Sequence, residues 1–142
     1  MPYATQQDME DRFGADEIRR ISDYADPPTG EIDPVVVAKA LADASAEIDG
    51  YLIGRYALPL ASPFPAPLVT ACEDIARFRM HRHLAGDDIK DAYKNAIARL
   101  REIAQGLFKL NVPAALPATD GADEVLTSGP DRIFSDRSMR GY

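Results

Sequence analysis

Apolar residues recur along this chain at helical rather than strand spacing. From residue 34 to about residue 56, Val37, Leu41, Ala44, Ile48 and Leu52 step by four, three, four and four positions. That spacing lines one face of an α-helix. Lys39, Asp43, Glu47 and Asp49 fall largely off the line, and alternating alanines favour helix and close packing. Gly50 and Gly54 weaken the pattern and predict a bend or the close approach of another backbone. A second stripe, residues 67 to about 84, places Leu68, Cys72, Ile75 and Ala76 on one face, with Met80 and Leu84 close to it. A third runs to about residue 106 through Ile89, Tyr93, Ala96, Leu100 and Ile103, flanked by Ile97 and Ala104.

The breaks between these stripes are equally readable. Thr5 is a helix N-cap with Asp8 in the position of a capping-box acid, and Met9 and Phe13 share a face before Gly14 stops the turn. Asp16 and Glu17 open a second short helix carrying Ile18 and Ile21. Pro27, Pro28 and Gly30 mark a loop, and Asp33-Pro34 starts the first long helix. Residues 58 to 67 hold four prolines, which predicts a stiff extended connector. Gly86 ends the second long helix, and Asp87 or Asp88 caps the third. So short a connection makes the last two helices antiparallel neighbours.

The expected fold is therefore all-α: an antiparallel bundle of three longer helices, two short N-terminal helices and an extended C-terminal tail. Residues 1–110 form the helical domain and residues 111–142 the tail. The tail keeps Leu126, Ile133, Phe134, Met139 and Tyr142 among its prolines and glycines. Such apolar residues predict docking, on the domain itself or on a partner.

Charge narrows the choice of partners. The net charge is −7, and residues 1–33 alone hold nine acids against three bases. A phosphate backbone is repelled by such a balance unless a local basic patch intervenes. Arg77, Arg79 and Arg82 are the best basic group, and they lack interleaved aromatic platforms. No apolar run is long enough to cross a bilayer. The start of the chain lacks the basic and apolar regions of a signal peptide, so a soluble protein is expected.

No cofactor or metal site is expected. His81 and His83 point about 200° apart on a helix, and Cys72 lies too far along it to join either. Cys72 reads as a small apolar core residue. Asp23, Asp26, Glu31 and Asp33 lack the spacing of a calcium loop. Glu73 and Asp74 are adjacent on a helix, so they face different directions and make a poor acid–base pair. Arg77, four residues after Glu73, reads as its surface partner, and Arg79 as an arginine at the core edge. No nucleophile arrangement or phosphate cradle is present, so an enzyme is not expected.

Five stretches together resemble a Mu-like phage and prophage family encoded among head and tail morphogenesis genes. They are Tyr3-Ala4-Thr5, Arg12-Phe13-Gly14, ALADASAEIDGYLIGRYALPL at 40–60, ACEDIARFRMH at 71–81 and SGPDRIFSDRSMRGY at 128–142. The resemblance implies a virion protein at the head–tail junction, in the manner of helical adaptor proteins that bind a portal as a ring, commonly twelvefold. Portal and tail-completion proteins would be its partners, and DNA would pass nearby without specific binding. It would reside in the virion, and in the host cytoplasm during assembly. The residues expected to make partner contacts are Ile133, Phe134, Met139, Arg140 and Tyr142, with Leu58, Leu60 and Phe64 as a second set. The alternative is a small DNA-binding or regulatory module acting through Arg77, Arg79 and Arg82.

Overall fold

A computed structural model describes residues 1–81 and 84–112. The tail residues Leu126, Ile133, Phe134, Met139, Arg140 and Tyr142, with Arg82 and His83, lie outside the described residues. Five α-helices follow one another: α1 (Gln6–Phe13), α2 (Ala15–Ser22), α3 (Pro34–Leu52), α4 (Ala66–His81) and α5 (Asp87–Gln105). No strand is present among the described residues, so the fold is all-α.

The three longer helices pack on one another, and the stripes meet between them. Val37, Leu41, Ala44, Ile48 and Leu52 of α3 are all buried, as are Leu68, Cys72, Ile75 and Ala76 of α4 and Ile89, Leu100 and Ile103 of α5. α4 and α5 form the expected hairpin, with Phe78 stacked on Tyr93 at 4.3 Å between ring centroids. The short helices α1 and α2 add Met9, Ile18 and Ile21 to the same core.

Local chemistry sets the helix ends. Thr5 Oγ1 accepts the Asp8 amide at 3.2 Å while the Asp8 carboxylate accepts the Thr5 amide at 2.7 Å, a complete capping box. Asp33 caps α3 by accepting the Val35 and Val36 amides. Gly14 lies at φ +88° and joins α1 directly to α2. Gly106 lies at φ +80°, and the amides of Gly106 and Leu107 return to the carbonyls of Ile103 and Glu102. That is a Schellman closure, which glycine adopts without steric cost. Gly106→Ala is expected to lower stability by about 1 kcal/mol through its left-handed backbone. Chemical denaturation checks this, and an unchanged midpoint would contradict it.

Three expectations are corrected and one is narrowed. α3 stops at Leu52 instead of continuing to about residue 56: past it the Arg55 amide donates to the Leu52 carbonyl three residues back, at 2.9 Å, in a turn rather than four residues back as in the helix. Gly50 and Gly54 face open space, which removes a close backbone approach and leaves the bend, and Gly54 lies in the turn that follows α3. α4 ends at His81, and Leu84, which the stripe placed near the apolar face, is 88% exposed. The N-cap of α5 is Gly86 with no side-chain hydrogen bond; Asp87 and Asp88 lie in the first turn, where they suit the helix dipole.

Candidate interaction site

One group of charged side chains converges where α1 and α2 meet α4. Arg12, near the end of α1, sends Nη1 to Glu73 Oε2 at 2.6 Å and Nη2 to Asp74 Oδ1 at 2.9 Å. Nη1 also donates to the Thr70 carbonyl at 3.1 Å. Glu73 and Asp74 thus converge on a single guanidinium, against the expectation that helical neighbours diverge. The pairing of Glu73 with Arg77 is likewise corrected. Arg77 Nε instead donates to Glu17 Oε1 of α2 at 2.6 Å, and His81 Nε2 lies 3.3 Å from the same oxygen.

Phe13 lies between the two arginines. The Arg12 guanidinium sits 4.9 Å and that of Arg77 4.5 Å from its ring centroid. Two cations against one aromatic ring add attraction to the flanking ion pairs. The result is a polar clasp that fastens the N-terminal helices to the bundle.

Burial unbalances this clasp. Desolvation raises the pKa values of Glu73 and Asp74 above the ordinary carboxylate range despite the Arg12 charge. Partial burial also works against the Glu17 carboxylate, but the hydrogen bonds and charges of Arg77 and His81 outweigh it and hold its pKa low.

A second junction ties the chain start to α3 and α4. The Tyr3 amide donates to Ser45 Oγ at 3.0 Å, and Ser45 Oγ donates to the Leu41 carbonyl at 2.8 Å. Cys72 Sγ lies 3.5 Å from that hydroxyl, fully buried, and burial pushes its thiol pKa up. The Tyr3 hydroxyl donates to Asp49, and its ring packs edge-on against Phe64 at 4.9 Å. Burial is the leading cause raising the Tyr3 pKa, followed by Asp49.

The second set of contact residues sits on this domain. Leu60 is buried in the core, and Leu58 and Phe64 pack partly buried against it. Of the basic residues raised for nucleic-acid binding, the two that are described are engaged, and Arg82 lies outside the described residues. Arg77 is held by Glu17, and Arg79 Nη2 reaches Glu47 at 2.6 Å, where the Tyr93 hydroxyl also donates. Asp23 accepts the Gly30 amide at 2.7 Å, which is the first cause holding its carboxyl below the usual value. Together with the Asp33 cap, this gives two of the loop acids structural duties. Among the described residues no group of His, Cys, Asp and Glu side chains could hold a metal ion. No helix among them is long and apolar enough to cross a membrane.

Sequence reading missed Arg12 as the centre of the clasp. It lies 61 positions from Glu73, beyond any local spacing rule. Its only signal was its place in the Arg12-Phe13-Gly14 stretch. In that stretch Arg12 makes the ion pairs, Phe13 packs between two cations and Gly14 takes the positive-φ turn.

The chain is similar throughout its length to proteins of Mu-like phages and prophages. It is 32% identical over 145 residues to gene product J of Escherichia phage Mu, covering 100% of this chain and 99% of that protein. It is 27% identical over 140 residues to the Mu-like prophage FluMu protein gp36 of Haemophilus influenzae, covering 99% and 97% respectively. The family described as bacteriophage Mu, Gp36 matches residues 3–128. With the Arg12-Phe13-Gly14 clasp and all five helices inside that match, the chain belongs to the bacteriophage Mu Gp36 family.

Proposed function

We propose that this protein is a non-enzymatic head–tail connector or head-completion protein, assembling as a ring between portal and tail. The observation that carries the reading is the end-to-end likeness to a protein of phage Mu. The fold is consistent with the role. A ring that closes by head-to-tail contacts needs a body that holds its shape while opposite faces meet neighbours. Three mutually packed helices with a clasped N-terminal pair supply such a body.

In this reading Ile133, Phe134, Met139, Arg140 and Tyr142 meet the portal or a tail-completion protein. Copies of the chain surround the DNA passage as a ring, twelvefold where it follows the common form of the adaptor proteins, and DNA passes without specific binding. The protein resides at the head–tail junction of the virion and in the host cytoplasm during assembly. The engagement of Arg77 and Arg79 by Glu17 and Glu47 weighs against the DNA-binding alternative, because phosphate would have to displace those carboxylates.

Electron microscopy of purified protein mixed with portal particles tests the proposal. Added ring density on the portal is the expected result, and the density should be missing when Ile133 and Phe134 are both changed to Asp in the full chain. Phage particles that mature normally without this polypeptide would rule the role out.

A further inference from the structure

Glu73 is the only charged residue buried among the described residues, at 6% exposed. It has to share its cation. Arg12 divides its guanidinium between Glu73 Oε2 at 2.6 Å and Asp74 Oδ1 at 2.9 Å, so two carboxylates stand against one positive charge. The surrounding groups leave that excess in place. From α1, Asp8 acts on Glu73 as a further negative charge. Arg77 of α4 and Arg99 of α5 act on Asp74 as positive charges. Arg77, however, is already engaged by Glu17, and Arg99 is exposed and makes no ion pair among the described residues.

The same imbalance holds for the whole clasp. Arg12 and Arg77 bring positive charge, and Glu17, Glu73 and Asp74 bring one negative charge more. His81 adds a positive charge only when protonated. Like charges held together away from water oppose the second ionisation. Glu17 is not the group that yields, because Arg77 and His81 hold it ionised. Glu73 and Asp74 are, since burial raises both in spite of Arg12. A proton taken up there belongs to the pair rather than to either residue.

We propose that the seam between the N-terminal helix pair and α4 is a proton-linked latch: docking of α1 and α2 takes up one proton from solution, which Glu73 and Asp74 share around Arg12. With the seam open, both carboxyls meet water and titrate in the ordinary range near 4. With it closed, they keep the proton to higher pH. Between those limits the closed state binds more protons than the open one, so the seam tightens as pH falls toward about 5 and loosens as pH rises. His81 acts in the same direction, because its protonation gives Glu17 a second cation. Below the ordinary carboxylate range the sign reverses, as Glu17 loses the charge that Arg77 and His81 hold. The latch belongs to the isolated chain and does not depend on the connector role.

Hydrogen exchange followed by mass spectrometry on the full chain, between pH 5 and pH 8 and corrected for the intrinsic exchange rate, tests this. The amides of α1 and α2 are expected to be less protected than those of α4, which shows that the pair opens by itself. Their protection should fall at least about threefold from pH 5 to pH 8, under a ceiling of about tenfold per pH unit for one linked proton. Glu73→Gln, with a neutral amide where the protonated acid would stand, should flatten that dependence. Asp74→Asn should flatten it too, and guards against a fold defect in the first variant. His81→Gln should leave most of it. Protection of α1 and α2 that does not change with pH in the parent would overturn the proposal. So would a dependence that survives both carboxyl variants, or one that vanishes in His81→Gln alone. Equal protection of α1, α2 and α4 at every pH would show that the pair has no separate opening and would overturn it as well.

Discussion

Ile48→Ala is expected to cost about 3–4 kcal/mol of folding stability, the size typical of an isoleucine emptied from a packed core. Ile48 is 0% exposed and belongs to α3, which packs on both α4 and α5. The loss combines the transfer free energy of the deleted atoms with the cavity they leave. Around this chain length the change corresponds to a fall of about 10 °C in Tm. Thermal unfolding followed by circular dichroism measures it. Lys39→Ala on the same helix is the control: Lys39 is exposed, and its replacement should stay within about 0.5 kcal/mol of the parent. Equal losses at the two positions would mean that α3 does not bury its apolar stripe.

The contrast between Ile48 and Lys39 was legible in the sequence because helical periodicity assigns faces directly. All five helices could be read this way, together with the Thr5 and Asp33 caps. The C-terminal ends of α3 and α4 could not be, and those two errors share one cause. Tyr56 follows Leu52 by four positions and Leu84 follows Met80 by four, so the apolar spacing runs one step past each true end. At the first, the chain turns back on the Leu52 carbonyl, and Tyr56 is buried as a turn residue bonded to Leu110. At the second, α4 stops at His81 and Leu84 is left exposed. Spacing records which residues are apolar, not the path the backbone takes between them.

The polar clasp was hidden for a different reason. Local rules pair Glu73 with Arg77 because the two share a helix at i, i+4. Tertiary packing offers each a stronger partner. Arg12 and Glu17 arrive from α1 and α2 at 2.6 Å, in a partly buried setting where a charge left alone is expensive. A surface pair gains a few tenths of a kcal/mol, so it yields readily to such competition. The five stretches behind the family resemblance include both sides of the clasp, at 12–14 and 71–81. The resemblance thus marked the residues before their contact could be derived.

Arg12→Ala should be the most damaging single change on the polar side of the molecule, at about 2–3 kcal/mol at neutral pH. A fully buried pair broken on one side costs about 3–5 kcal/mol, and the 36% exposure of the Arg12 side chain reduces that figure. The cause is the pair of carboxylates left behind, which also gives the prediction a pH signature. Glu73 and Asp74 have folded-state pKa values above their ordinary ones, with desolvation the leading cause. The stability contributed by a raised carboxyl is present in full below its ordinary pKa and lost as pH climbs through the raised one. Glu17 and Asp23, whose values are lowered, contribute stability above the ordinary range that is lost as pH falls through their folded values. Removing Arg12 raises Glu73 and Asp74 further, so the deficit of the variant should be largest at pH 7 and shrink on acidification toward about pH 5, before the ordinary carboxylate range near 4 is reached. Urea denaturation of parent and variant across that interval measures it. Adding Glu73→Gln to Arg12→Ala should recover part of the loss at pH 7, because the neutral amide no longer needs the missing cation. A deficit that is constant with pH and unmoved by Glu73→Gln would show that Arg12 acts through its packing on Phe13 rather than through the carboxylates it bridges.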